Sequence, residues 1–255
     1  MRCCRDMDAL VLTCNRYHPF ADHMIRCYER LWVNHEFTFY VPFQSELASG
    51  VTHDLLARPD VVGVPSEVSI KQTVDALIDG REDDEWIYWC LDDKYPIAFQ
   101  NNVLERTIEW LPELPSSAVG ITLCRCRNLR APWNIRDFSL TSSWGEKFLA
   151  RNGLSQFWLH SFLRVSFLRT VFDLIPEGLP EAHLMDQYIG QNEDGWNVPD
   201  DVQYLVSEHN WMHLGESTSR GVMTQNCAQS FQSLNLEFPA NFKVGEKYVL
   251  MPGIR

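Results

Sequence analysis

The sequence predicts an α/β layer fold: a mostly parallel central sheet flanked by helices, in a single domain. Three observations predict it. Short apolar runs bounded by turn residues recur at residues 8–14 (DALVLTC), 36–41 (EFTFYV), 60–64 (DVVGV) and 86–91 (WIYWCL), and each reads as a strand. Two amphipathic stretches stand between them. Residues 21–32 place Met24, Ile25, Tyr28, Leu31 and Trp32 at helical spacing, and residues 69–78 place Ile70, Val74, Leu77 and Ile78 on one face. The order strand, helix, strand, strand, helix, strand is the rhythm of a parallel sheet covered on both faces.

The remaining elements follow in order. Residues 15–20 read as a loop, and Pro42 and Pro65 end the second and third strands. Residues 101–110 read as a helix, 111–117 as a loop punctuated by proline, and 119–123 as a strand. Residues 125–143 are polar, basic and irregular. A strand over 157–165 leads into a helix over 166–174, another helix begins over 184–189, and 202–206 is a short strand. Residues 209–228 are rich in Gly, Ser, Thr, Asn and His and read as one long loop. No repeat, low-complexity stretch or linker interrupts the chain, so residues 1–255 are expected to form one domain.

Composition excludes several classes of function. At 255 residues, with 45% hydrophobic and 22% charged residues, the chain has the makeup of a globular protein with a sizeable core. A net charge of −12 argues against a broad basic face for nucleic acid, although a few cations and one metal ion suffice for a diphosphate. The charged start, MRCCRDMD, lacks the apolar core of a secretory signal, and no run is long and apolar enough for an integral membrane segment. Eight cysteines without CxxC spacing read as reduced thiols, which predicts a cytoplasmic protein. The sequence leaves the oligomeric state open.

The chemistry-bearing feature is Asp92-Asp93, directly after the apolar run ending at Leu91. In open α/β sheets ligands bind beyond the carboxyl ends of the strands, which brings residues 13–17, the loop after Val64 and the acid pair together. Two adjacent carboxylates repel and need a positive partner. A divalent ion completed by a diphosphate is one partner; the other reading is a solvated turn with one acid paired to Lys94.

The strand ending in Thr13-Cys14-Asn15-Arg16-Tyr17 and leading into a helix resembles the opening of a GT-A (Rossmann-like) glycosyltransferase of the family-2 type. The stretch from Ile70 to Pro96 is similar to that family's run into its DxD or EDD motif, with Leu91-Asp92-Asp93 in its place. The resemblance implies that Asp93 binds Mn²⁺ or Mg²⁺, and that Asp92 sits near the ribose or the donor sugar. Residues 181–187, EAHLMDQ, resemble the xED element and make Asp186 the acid facing the acceptor. The alternative is an ordinary acid at a helix start. Residues 211–221, WMHLGESTSRG, resemble the region of the family's C-terminal His. They imply His213 as a metal ligand or diphosphate partner, with His209 competing for that role, and Arg220 as a phosphate contact.

The implied reaction moves a sugar from a nucleotide-diphosphate donor to a hydroxyl of a glycan or lipid-linked precursor, as in polysaccharide biosynthesis, beside the membrane where the acceptor is lipid-linked. Asp93, His213, Arg220 and Lys71 would meet the diphosphate charge. Thr13, Asn15, Arg16 and Tyr17 would line the nucleotide slot. Asp186 would take the proton in an inverting displacement. Residues 8–123 would form the donor half, 124–228 the acceptor half and 229–255 an extension. Arg125, Arg127, Arg130 and Arg136 read either as a solvated loop or as contacts to an anionic acceptor, and Trp133, Trp144 and Trp158 either as core or as sugar platforms. Two other readings stay open. One is a nucleotidyltransferase, against which the lack of glycine in residues 15–19 counts. The other is a non-catalytic domain that binds a glycan or a partner.

Overall fold

The first strand, β1 (Met7–Leu12), is buried at all six positions, the signature of a central strand covered on both faces. The computed structural model describes residues 7–33, 35–45, 50–100, 102–124, 135–151, 158–176, 178–179, 184–185, 187–188 and 201–249. β1 pairs in parallel with β2 (Phe37–Phe43) and β4 (Trp86–Leu91), and β2 pairs in parallel with β3 (Val61–Pro65). The sheet continues through β9 (Ser161–Arg164), β6 (Ala118–Thr122), β10 (Gln203–Ser207), β8 (Lys147–Arg151) and β7 (Ile135–Thr141). Its order is β3-β2-β1-β4-β9-β6-β10-β8-β7. The pairings make β8 and β9 run against all the others, so the sheet is mostly parallel, as expected.

The period-2 alternation of strands splits the core into two layers. Ala9, Val11, Phe39, Tyr88 and Cys90 face α1 (His18–Leu31) and α4 (Val103–Trp110). Leu10, Leu12, Ile87, Trp89 and Leu91 face α3 (Ile70–Ile78) and α5 (Val165–Leu174). A short helix, α2 (Gly50–Leu56), packs beside α1. A separate ribbon, β5 (Lys94–Phe99) with β11 (Met212–Glu216), lies against α1. β12 (Thr218–Ser219), β13 (Val222–Met223) and α6 (Gln225–Ser233) are the last described elements, followed by residues 234–249.

Several boundaries differ from the expectations. Residues 15–17 form a 3-10 turn and α1 starts at His18, because Pro19 falls in the first turn, where its missing N–H costs nothing. β2 runs through Pro42 to Phe43, and Pro65 is tolerated in β3 because β3 is an edge strand. The irregular reading of 125–143 is corrected over 135–141, which form edge strand β7. A register shift between Ile135 and Ser139 breaks the alternation that would have announced it. The loop expected over 209–228 holds β11, a β12–β13 hairpin and the start of α6. Its glycines serve ordered structure. Arg220 and Gly221 both have positive φ (53° and 74°), as a two-residue type I′ turn requires, and a Cβ on Gly215 would lie 2.6 Å from the Tyr95 ring. Trp144 packs on Trp110 and Phe148, and Trp158 packs on Phe172, in line with a core role. Arg136 donates to the Val202 carbonyl at 3.0 Å, while Trp133, Arg125, Arg127 and Arg130 lie outside the described residues.

Candidate active site

The parallel register sets Leu12 beside Leu91, so Thr13 and Asp92 leave the sheet side by side at its carboxyl edge. The backbone of the acid pair is held from three directions. The Asp92 N–H donates to the Leu12 carbonyl at 3.3 Å. His160 Nε2–H donates to the Leu91 carbonyl at 3.1 Å, and its Nδ1 accepts from the Tyr28 hydroxyl at 2.6 Å. The Tyr88 hydroxyl lies 2.9 Å beyond, and all three side chains are buried. Ser217, just past β11, donates its N–H to the Asp93 carbonyl at 2.8 Å and its hydroxyl to the Asp92 carbonyl at 3.2 Å.

The two carboxyl groups differ. Burial pushes Asp92 up to about 8, and the charge of Asp93 adds to it; the hydrogen bond from Thr13 and the Lys94 ammonium offset this only in part. Asp93 carries the ion pair. Its Oδ2 lies 2.7 Å from Lys94 Nζ, which also sits 4.0 Å from Glu216 Oε1. Lys94 is buried, and the neighbouring carboxylates outweigh burial and raise its pKa. Asp93 Oδ1 is a buried atom without a hydrogen-bond donor.

The nucleotide-slot residues gather at the same edge. The Asn15 amide is committed to the fold: its Nδ2 donates to the Gln44 carbonyl at 2.8 Å, and its Oδ1 accepts the Gln44 N–H at 2.9 Å. Gln44 Nε2 reaches Ser66 Oγ and the Glu67 carbonyl, so this one side chain ties together the ends of β1, β2 and β3. Tyr17 is half-buried, with its hydroxyl pKa raised by burial and by the nearby charge of Asp92. Arg16 is exposed, its guanidinium 5.2 Å from the Phe242 ring centroid. Both Asn15 and Arg16 line a groove of 690 Å³ that Phe238 and Phe242 border on the far side. Lys71 lies in the first turn of α3, on the same edge.

Two assignments change. His213 does not share a site with Asp93. The antiparallel pairing of β11 with β5 sets Glu216 opposite Lys94 and His213 opposite Ala98. Those two register positions are four residue steps apart on β5 and three on β11, about 10–13 Å. The His213 ring meets Asn210 and Gln100 there. Arg220 sits exposed at the tip of the β12–β13 turn, where it and Lys247 line a small groove with Val222 and Gly245. Asp186 lies outside the described residues.

The sequence reading passed over several residues. Ser217, His160 and Gln44 were missed because they act through contacts distant in sequence. A second polar centre stands at the end of β10, where buried Glu146 holds His209. Its Oε2 lies 2.8 Å from His209 Nδ1, and its Oε1 accepts from Ser207 Oγ at 2.5 Å and from the His209 N–H at 3.0 Å. Burial works to raise the Glu146 pKa, but these hydrogen bonds prevail and hold it below the usual carboxylate range.

The acid pair fits a divalent cation on two counts. Asp93 Oδ1 is an oxygen without a donor, and the two carboxylates Asp93 and Glu216 outnumber the single ammonium of Lys94 between them. Among the described residues, the one grouping of three metal-capable side chains with ligand atoms within 4.8 Å of one another is not at the acid pair but at Glu29, His35 and Asp60. It lies at the opposite, amino edge of the sheet, and Arg58 already bridges Glu29 and Asp60 at 2.6 and 3.2 Å.

No family model and no curated protein matches the chain. Among solved structures, the chain is similar to S. aureus TarS 1-349, with TM-score 0.44 and 13% identity over 79% of this chain and 60% of that one. It is also similar to the galactosyltransferase LgtC in complex with donor and acceptor sugar analogs, with TM-score 0.43 and 12% identity over 97% and 88%. A third is the apo bifunctional glycosyltransferase WbbM, with TM-score 0.37 and 10% identity over 66% and 33%. The chain thus spans less than two thirds of the TarS and WbbM chains.

Proposed function

We propose that this chain transfers a sugar from a nucleotide-diphosphate donor to a hydroxyl of a glycan or lipid-linked acceptor. The observation that carries the reading is the acid pair at the carboxyl end of β4, with its backbone fixed by Ser217 and His160 and with Thr13 alongside. Such fixing holds two side chains in one geometry before a ligand arrives, which is what positioning requires.

Residues 8–123 form the donor half in this reading. The base enters beside Asn15, Arg16 and Tyr17, where Phe242 lines the same groove as Asn15 and Arg16 and packs edge-on against the Tyr17 ring at 5.2 Å. Asp92, whose carboxyl is pushed up to about 8 by burial and by the charge of Asp93, faces the ribose or donor sugar as a hydrogen-bonding partner. Mn²⁺ or Mg²⁺ bound by Asp93 and the diphosphate oxygens would supply counter-charge to the leaving group. Lys94 pairs with Asp93 at 2.7 Å, and Lys71 in the first turn of α3 adds positive charge at the rim. Displacement with inversion follows, with the acceptor in the half formed by residues 124–228, where the resemblance puts Asp186 as the base. No described helix is long and apolar enough to cross a membrane.

A non-catalytic binding domain is the second reading. One observation favours it: Lys94 already pairs with Asp93 and gives that carboxylate a resident counter-ion. Hydrolysis of UDP- and GDP-hexoses in the absence of acceptor separates the two. Slow release of the nucleotide that needs Mn²⁺ or Mg²⁺ supports the transferase. Absence of turnover with every donor, alongside retained sugar binding, supports the binding domain.

A further inference from the structure

The dyad at the end of β10 is built to present one nitrogen. Glu146 is buried, its side chain 3% exposed, whereas His209 is 68% exposed. The carboxylate receives Ser207 Oγ–H and the His209 backbone N–H on one oxygen and the His209 ring on the other. An ionised carboxylate only accepts, so Nδ1 carries the ring proton and the Nε2 lone pair faces solvent. Ser207 and the backbone N–H already serve the buried carboxylate. Holding the imidazole adds a ring fixed in tautomer and direction, with Trp211 edge-on at 5.9 Å.

Its place in the fold gives this nitrogen a task. β10 runs in the same direction as β4, so His209 and Asp92 stand on the same carboxyl edge. The order β4-β9-β6-β10 puts three strand spacings between them, about 14 Å. One continuous segment links them, running from His209 through β11 to Glu216 and Ser217 beside the acid pair. A donor whose diphosphate lies over Asp93 and whose sugar points along this edge brings the incoming hydroxyl to the β10 side.

We infer that His209, fixed by Glu146, accepts the proton of the incoming hydroxyl. The inference rests on the glycosyl-transfer reading and places the base at His209 instead of Asp186. The hydroxyl oxygen bonds to the anomeric carbon, the bond from that carbon to the diphosphate oxygen breaks, and its electron pair leaves with the nucleotide. The hydroxyl proton passes to Nε2, and the imidazolium returns it to solvent. Glu208 beside His209 and Lys147 on β8, joined by the Glu208 N–H on the Lys147 carbonyl at 2.8 Å, carry charged side chains at this end.

The test uses the full chain and UDP- and GDP-hexoses, with water as acceptor. His209→Gly is expected to lower hydrolysis about 10²–10⁴-fold and Glu146→Gln less, with the thermal shift on nucleotide diphosphate retained in both. Added imidazole is expected to restore at least tenfold of the rate in His209→Gly, since the site is open to solvent, and to do nothing for Asp186→Asn. A His209→Gly variant that turns over like the parent overturns the inference. So does one whose loss imidazole fails to repair while Asp186→Asn abolishes turnover. A parent chain that neither binds nor hydrolyses any donor overturns the transfer reading itself, an outcome distinct from an active parent with an active His209→Gly.

Discussion

Ser217 holds Asp93 from across the sequence, its N–H on the Asp93 carbonyl at 2.8 Å and its hydroxyl on the Asp92 carbonyl at 3.2 Å. Ser217 is fully buried and belongs to the segment that follows β11, whereas the acids end β4. The geometry of the acid turn therefore depends on the C-terminal part of the chain.

Removing that hydroxyl tests the dependence. Ser217→Ala leaves the Asp92 carbonyl short of one donor and is expected to lower stability by about 1 kcal/mol in urea denaturation. Donor-nucleotide affinity is expected to fall more than that loss accounts for, because the turn that aims both acids relaxes. Unchanged affinity in a folded variant would separate Ser217 from the site.

Lys94 is the counter-charge of Asp93. Lys94→Met keeps the apolar stem and removes the ammonium. Breaking a fully buried pair costs about 3–5 kcal/mol, and the 40% exposure of the Asp93 side chain returns part of that to solvent, so a loss of about 1–3 kcal/mol is expected. Denaturation at neutral pH measures it. Adding Mn²⁺ or Mg²⁺ is expected to restore part of the stability in the variant, and no metal effect in either chain would count against Asp93 as a cation ligand.

The buried histidine beneath the acid turn gives the fold a pH dependence. Burial lowers the His160 pKa to about 4, against 6.5 for an exposed histidine. Between those values the unfolded chain binds a proton that the folded chain refuses, so stability is full above about 6.5 and is lost as pH falls toward 4. The full effect is about 3 kcal/mol. His23 shifts in the same direction, to about 3. Asp92 works in the opposite sense: its raised pKa means the folded chain keeps a proton that the unfolded chain gives up, so stability declines as pH rises from about 4 toward 8. Melting temperatures of the parent and of His160→Gln between pH 4 and 7 are expected to converge at the acid end. Parallel curves would show that His160 does not titrate with unfolding.

The layer architecture was legible because burial on both faces leaves continuous apolar runs, as in β1 and β4, and because α1 and α3 carry clean helical spacing. The acid pair was legible as two charges ending the most apolar strand. What escaped was the ribbon. Pro96 sits within β5, and Gly215, Ser217 and Thr218 give β11 and its sequel the look of a loop, although Gly215 is small because the Tyr95 ring presses against it and Ser217 bonds the acid turn. The family resemblance implied His213 beside Asp93, while the β11–β5 register puts Glu216 there. Gln44 and Glu146 offered no local signal, since their partners come from other strands.

The central claim is that Asp92-Asp93 is a donor-nucleotide site, and a thermal-shift titration tests it most directly. The purified chain is melted with UDP, GDP, CDP and ADP, each with and without Mn²⁺ or Mg²⁺, beside Asp93→Ala. A nucleotide at 100 times its dissociation constant adds about 2.7 kcal/mol. The expected result is a shift with one nucleotide that grows with metal and disappears in Asp93→Ala. A chain whose melting ignores every nucleotide, or a shift that persists unchanged in Asp93→Ala, would contradict it.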